Sequence, residues 1–373
     1  MLIEPLLEAR PDSMQETPVS DRIEDAIVLS TRVRLARNLE SYPFPSWAQK
    51  EQRRDILSTC INTLNLLPQM QEAVSFNIEE LSKLERQILV ERHLISRELS
   101  EEPVGAGVLI NRDQTCSIMI NEEDHLRIQY MSNGLDLQHT WKTIDAIDTA
   151  IEKQLNYAFS LDYGYLTACP TNVGTGMRIS AMMHLPALVI AGSMEKVIHA
   201  VNQAGIVVRG LFGEGSEASG SIFQISNQQT LGQSEKQIIQ NVQEFLNIII
   251  QREKDTREKL IKENPEKLFN KIGRAYGIFK YARLIGSEEA MNLFSLLRLA
   301  IDLGILDSPD SLRRRLNQLL VESQPGHVQY AVKKSIRNKN RDRYRAIYFR
   351  KQFAQLSSPN FDKLLKINHR ESE

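Results

Sequence analysis

Asn121-Glu122-Glu123-Asp124-His125-Leu126-Arg127 brings three carboxylates, an imidazole and a permanent cation into one short stretch. Such a set can hold a cationic nucleophile beside an anionic leaving group, because carboxylates orient and deprotonate while arginine neutralises departing charge. The stretch follows Ile118-Met119-Ile120, which reads as the end of a buried strand. Alternation then predicts Glu123, His125 and Arg127 on one face, with Glu122 and Asp124 on the other. Four residues of strand span roughly 13 Å, about the reach of a triphosphate. The competing reading is a solvated charged face of an edge strand, the usual fate of acid-rich segments.

Two further segments repeat the theme. In Cys169-Pro170-Thr171-Asn172-Val173-Gly174-Thr175-Gly176-Met177-Arg178 two glycines would let the backbone pass close to a ligand, with an arginine immediately after. It resembles a phosphate cradle that lacks the Walker lysine. Arg209-Gly210-Leu211-Phe212-Gly213-Glu214 again sets a cation and a carboxylate about a glycine loop. Each loop alone reads as a turn, and the three segments together point to a phosphate site. No G-x-x-x-x-G-K-[ST], H-R-D, D-F-G or strand-to-helix G-x-G-x-x-G occurs, so a P-loop or eukaryotic-type protein kinase is not expected.

These segments need elements to position them. At 373 residues, 42% hydrophobic and 25% charged, the chain has the composition of an ordinary soluble protein with room for two domains. A net charge of -1 argues against a nucleic-acid coat or a membrane-surface binder. Three scattered cysteines predict neither a disulfide framework nor a zinc site, and no signal or membrane-spanning run is read, so the expected location is the cytoplasm. Residues 1–25 read as a loose leader, and Ile27 to Arg37 as a strand with Arg32 and Arg34 on one face. Helical patterns fall at 47–66, 78–92 and 140–158, and β-rich runs with glycine loops fill 104–130 and 156–232. The fold class expected is α+β, a mainly antiparallel sheet with flanking helices, plus an all-helical C-terminal domain. A helix starting at Ser234 runs into Arg252-Glu253-Lys254-Asp255, which sets the domains at 26–255 and 256–373.

N-E-E-D-H-L-R, C-P-T-N-x-G-T-G-x-R and R-G-x-x-G-E, in that order, resemble the motifs of the guanidino (phosphagen) kinases, most closely the bacterial protein-arginine kinases. The resemblance covers about residues 26–255. It implies the guanidino-kinase catalytic fold, with Arg32, Arg34, Arg127, Arg178 and Arg209 clamping the phosphates of ATP. It also implies a nucleotide site lined by Ser30, Thr31, Arg32, Val33 and Arg34, by His93, by Arg178, Ile179, Ser180, Ala181 and Met182, and by Arg209, Gly210, Leu211, Phe212, Gly213 and Glu214. Magnesium would rest on phosphate oxygens and water rather than in a protein cage. A guanidinium is no nucleophile until carboxylates orient it and draw off a proton, the task assigned to Glu123 with Glu214. Cys169 would lie near that guanidinium.

Kinases of this family that act on free arginine or creatine carry a helical domain ahead of the S-x-R-x-R strand, and here only about 29 residues precede Ser30. An arginine on a protein is therefore the expected acceptor, with free arginine or another small guanidine as the alternative. Arg341-Asp342-Arg343-Tyr344-Arg345-Ala346 matches the R-D-x-x-R-A element that in protein-arginine kinases forms a phosphoarginine pocket, here Arg341, Asp342 and Arg345. Without the resemblance, this basic run reads as a solvated helix face or a nucleic-acid contact. An inactive phosphoarginine-binding module is the third reading. The resemblance further implies a homodimer, a zinc-binding activator protein, stimulation by phosphoarginine, and delivery of marked proteins to a AAA+ unfoldase-protease, with no nucleic acid or membrane partner.

Overall fold

In Val28–Arg37 alternation builds the central strand: Val33 and Leu35 are fully buried while Ser30, Arg32 and Arg34 face the other way. The computed structural model describes residues 1–8, 26–203, 205–210, 219–307, 310–333 and 338–362, with the backbone alone at 310–314, 338 and 339. The strands are β1 (Val28–Arg37), β2 (Val74–Asn77), β3 (Gly107–Ile110), β4 (Cys116–Ile120), β5 (Leu126–Asn133), β6 (Phe159–Ser160), β7 (Gly164–Tyr165), β8 (Met177–His184), β9 (Ile206–Gly210) and β10 (Ile222–Asn227). Eight of them form one antiparallel sheet in the order β2-β3-β4-β5-β1-β8-β10-β9, and β6 with β7 is a separate hairpin.

The helices are α1 (Glu4–Glu8), α2 (Lys50–Leu64), α3 (Lys83–Glu91), α4 (Arg97–Glu101), α5 (Leu137–Glu152), α6 (Pro186–Ile190), α7 (Met194–Asn202), α8 (Glu235–Glu263), α9 (Pro265–Tyr281), α10 (Ser287–Asp302), α11 (Asp310–Glu322), α12 (Pro325–Val332) and α13 (Asn338–Gln352). One sheet face is covered along its length by α2, α5, α7 and α8, whose Ile56, Ile144, Val197 and Val242 pack on Leu35, Ile128 and Ile179. On the opposite face α1, α3 and α4 cover only the β2-β3-β4 half, through Ile3, Leu6, Ile88 and Leu99 on Phe76, Val108 and Met119. The C-terminal helices approach that face from the far side, where His184 Nε2 lies 2.8 Å from Ser295 Oγ and Gly220 N–H donates to Asn292 Oδ1 at 2.8 Å. A cleft remains between them over β5, β1 and β8.

The α+β class and the helical C-terminal region are as expected, and one expectation needs correction. The loose leader is not loose over residues 1–8: Ile3 and Leu6 are buried, and the Leu2 N–H donates to Glu85 Oε1 at 2.6 Å. Two apolar residues one helical turn apart suffice to dock so short a helix, a signal that the acidic residues around it obscure. Residues 9–25 lie outside the described residues. The boundary read at 255 falls inside α8, which continues to Glu263 before Asn264-Pro265 breaks it. The core does change near there, since Ile249 and Ile250 belong to the sheet's core and Ile261 to that of the C-terminal helices. Among the described residues no helix is long and apolar enough to cross a membrane.

Candidate active site

Residues 121–125 are a turn, not a continuation of β4. Asn121 adopts a left-handed φ of 56°, a conformation asparagine tolerates better than most residues. Its Nδ2 donates to the carbonyls of Arg53 and Gly105, both at 2.7 Å, which locks the turn. Strand parity therefore fails here, and the predicted grouping of Glu123, His125 and Arg127 against Glu122 and Asp124 is wrong. Glu122 is the residue that pairs with Arg127, in an ion pair whose carboxylate is 2% exposed. Burial alone would raise the Glu122 carboxyl, but Arg127, the Ser96 hydroxyl and the Glu123 N–H together hold it below the usual range.

His125 turns inward. Its Nδ1 accepts the Leu39 N–H at 2.9 Å, so Nε2 carries the proton and donates to Pro43 O at 3.0 Å. Burial pushes this imidazole down to about 4, and it serves as a buried peg under the turn. Asp124 is also buried, accepting from Asn38 Nδ2 at 2.6 Å and from the Ala168 N–H at 2.7 Å. Glu123 alone of the three acids projects outward. Partial burial first, then Asp124, Glu122 and Glu98, raise its carboxyl above the ordinary value against the opposing pull of Arg127.

The cations lie on the open face of the sheet. Cross-strand register places Arg34 opposite both Gln129 on β5 and Arg178 on β8, and Arg209 opposite Gln224 on β10. Arg32 Nη2 donates to Gln224 Oε1 at 2.7 Å. Arg32 Nε and Arg34 Nε are shielded from solvent and find no acceptor among the described residues. Burial, then Arg127 and Arg178, push Arg32 down to about 10, and burial, then Arg32 and Arg127, push Arg34 well down. Arg178 is lowered by burial and by Arg209 and Arg127. Like charges held this close, with donors unmet, call for a polyanion.

Alternation also sorts the other expected nucleotide-lining residues. Ser30, Ser180 and Met182 share the arginine face, whereas Val33, Ile179 and Ala181 are fully buried in the core on the opposite face. Thr31 is likewise fully buried, its hydroxyl bonded to Gly134 O at 2.7 Å, so these four side chains do not line the cleft. Gly210 ends β9, and Leu211, Phe212, Gly213 and Glu214 lie outside the described residues.

His93 reaches the cleft from the end of α3. It sits at the left-handed position of a helix-closing turn, φ 59°, with its N–H on Val90 O at 2.9 Å and the Leu94 N–H on Leu89 O at 3.0 Å. Glycine is usual there, and histidine is among the non-glycine residues that tolerate the conformation. His93 is solvent-exposed, and crowding by surrounding protein atoms, then Arg32 and Arg97, lower its pKa from the usual imidazole value.

Cys169 is partly exposed, its Sγ 3.0 Å from Thr171 Oγ1. The glycines after it pack against the chain's own atoms. A Cβ on Gly174 would lie 2.4 Å from Thr230 O, and one on Gly176 would lie 2.6 Å from both Ala36 O and Arg37 Nη1. Both have positive φ, so the loop needs them to fold against its own backbone.

In the C-terminal helices Arg345 is 1% exposed, and Nε donates to Ser323 O at 2.8 Å while Nη1 donates to Ile285 O at 2.7 Å and Asp342 Oδ1 at 2.8 Å. Arg341 and Asp342 are half-buried on the same helix. The element brings the three residues together, with Arg345 largely committed to the fold.

Sequence reasoning missed Asn38, Gln129, Gln224 and the pair Arg37–Asp148. Arg37 Nη2 meets Asp148 Oδ2 at 2.6 Å, and its guanidinium lies 3.6 Å from the centroid of the Tyr165 ring. Gln129 Nε2 donates to His93 O at 2.7 Å. Parity with Arg127 could have flagged Gln129, but the others owe their place to distant partners.

Two family descriptions match the chain: "ATP:guanido phosphotransferase, C-terminal catalytic domain" over residues 55–256 and "Protein-arginine kinase McsB C-terminal domain" over 265–364. The protein-arginine kinase of Pelotomaculum thermopropionicum is 44% identical over 344 residues, spanning 90% of this chain and 95% of its own. That of Brevibacillus brevis is 43% identical over 345 residues, spanning 92% and 95%. Among solved structures, the duplicated taurocyamine kinase from Schistosoma mansoni with bound transition state analog components superposes with a TM-score of 0.58 at 27% identity, over 66% of this chain and 36% of that one. Lombricine kinase, at 23% identity and TM-score 0.55 over 68% and 75% of the two chains, shares the fold.

Proposed function

Because the chain belongs to the ATP:guanido phosphotransferase family, among its protein-arginine kinases, we propose a catalytic assignment for the cleft in that family's reaction. The enzyme transfers a phosphoryl group from ATP to the guanidinium of arginine side chains in proteins, giving ADP and N-phosphoarginine. The observation that carries the assignment is the pair of solvent-shielded, acceptor-less Nε groups of Arg32 and Arg34, set among Arg127, Arg178 and Arg209 on one sheet face. Five cations there suit the phosphates of ATP, and with them the charge that develops on the oxygens of an in-line transfer. Ser30, His93, Ser180 and Met182 complete the nucleotide wall.

Glu123 orients the acceptor guanidinium and takes its proton, together with Glu214. A carboxylate raised above its ordinary value is a better base for a group whose own pKa exceeds about 12. Cys169 lies on the acceptor's side. Glu122 is spent on Arg127 and Asp124 on Asn38 and Ala168, which suits magnesium held by phosphate oxygens and water rather than by these acids.

Arg341, Asp342 and Arg345 are assigned to a phosphoarginine pocket, on the strength of the C-terminal match. The same membership supports a wider reading: a cytoplasmic homodimer with a zinc-binding activator, which marks proteins for a AAA+ unfoldase-protease. The test is incubation of the purified chain with ATP and an unfolded protein. Acid-labile phosphate on protein arginine is expected, and turnover with free arginine but none on protein overturns the assignment.

A further inference from the structure

Glu91, the last residue of α3, reaches out of the sheet domain and closes the start of a C-terminal helix. Its carboxylate accepts the Gly326 N–H at 2.7 Å, the His327 N–H at 3.1 Å and His327 Nδ1 at 2.8 Å. The next residue, Arg92, donates from Nε to His327 Nε2 at 3.2 Å, so the imidazole is held as the Nδ1–H tautomer between two consecutive residues of the other domain. Pro325 opens α12 with no N–H of its own, and Glu91 therefore satisfies its first free donors. On the far side of the same turn Arg345 grips Ser323 O at 2.8 Å. Two residues after Glu91, with the helix-closing turn fixing the path, comes His93, whose carbonyl holds Gln129 beside Arg34.

We propose that Glu91 is a positioning residue for the nucleotide cleft: by holding the first turn of α12 it fixes where α3 ends, and so sets His93 against the β1 arginines. The C-terminal domain thereby tunes nucleotide affinity without contributing a group to the cleft. The inference rests on the assignment of His93 to the nucleotide wall.

Gly326 offers a test that removes no group. A Cβ there would lie 2.9 Å from Glu91 Oε2, 3.1 Å from Oε1 and 3.2 Å from Gln87 Cγ, so Gly326→Ala displaces the carboxylate from the helix start. Affinity for ADP with Mg2+ is measured by calorimetry in Glu91→Ala, Gly326→Ala and His93→Ala, together with Tm and the KM for an unfolded protein substrate. Glu91→Ala and Gly326→Ala should each weaken ADP by about fivefold or more, with KM for protein within about twofold and a single cooperative melt for Gly326→Ala. If Glu91→Ala does not fold, Gly326→Ala decides alone. ADP affinity unchanged in Gly326→Ala while His93→Ala weakens it overturns the clamp. ADP affinity unchanged in His93→Ala removes His93 from the nucleotide wall, and the inference falls with it.

Discussion

Asn38 Nδ2 donates to Asp124 Oδ1 at 2.6 Å, across 86 residues of sequence. The same amide accepts the His125 N–H at 2.9 Å, so the residue after β1 holds the turn that carries Glu123. Asn38→Ala leaves the buried His125 N–H unpaired and the buried Asp124 carboxylate with only the Ala168 N–H, which should cost about 1–3 kcal/mol. Turnover should fall further than ADP affinity, because the turn carrying the base loosens while the arginines stay. Urea midpoints and steady-state kinetics check both parts.

Glu123→Gln should lower kcat by about 10²- to 10⁴-fold and leave ADP binding nearly intact. Its stability effect has a definite sign. A carboxyl raised in the folded state favours the protonated fold, so its charge destabilises the protein once pH rises above the unfolded value. Glu123→Gln should thus raise Tm at pH 7, with the difference vanishing near pH 4. An equal Tm difference at both pH values would remove this account.

Acid sensitivity is expected from His125. Its folded pKa is pushed down to about 4 from 6.5, so the stability it contributes is complete above pH 6.5 and is lost as pH falls toward 4. The loss should be on the order of 3 kcal/mol. Urea midpoints between pH 7 and 4 should fall more steeply in wild type than in His125→Gln.

Removing one partner of Arg37–Asp148 strands a buried charge. Asp148→Ala should destabilise by about 3–5 kcal/mol, whereas replacing both residues together by Met and Leu should recover much of that loss. Thermal or urea unfolding of the two single variants and the double variant supplies the comparison.

Arg341 and Arg345 should separate. Arg345→Ala strands the carbonyls of Ser323 and Ile285 and should lower stability by about 1–3 kcal/mol. Arg341→Ala should weaken phosphoarginine binding at wild-type Tm. Calorimetry with free phosphoarginine, beside thermal melts, distinguishes the two losses.

The local pattern by itself determined a good deal. Period-2 spacing put Arg32 and Arg34 on one face because a strand admits no other choice, and Ser234 with Gln237 marked the start of α8 through a capping box. The same rule misplaced Glu122 and Glu123, since one left-handed residue, Asn121, ends the strand and resets the parity. The roles of Gly174 and Gly176 were open until Thr230 and Ala36 were seen against them. Tertiary structure alone decided Asn38–Asp124, Arg37–Asp148 and Glu91–His327, whose partners stand 86, 111 and 236 residues apart. Each is a short-range polar contact between segments with no local reason to meet, and only burial of the shared core brings them within hydrogen-bond reach.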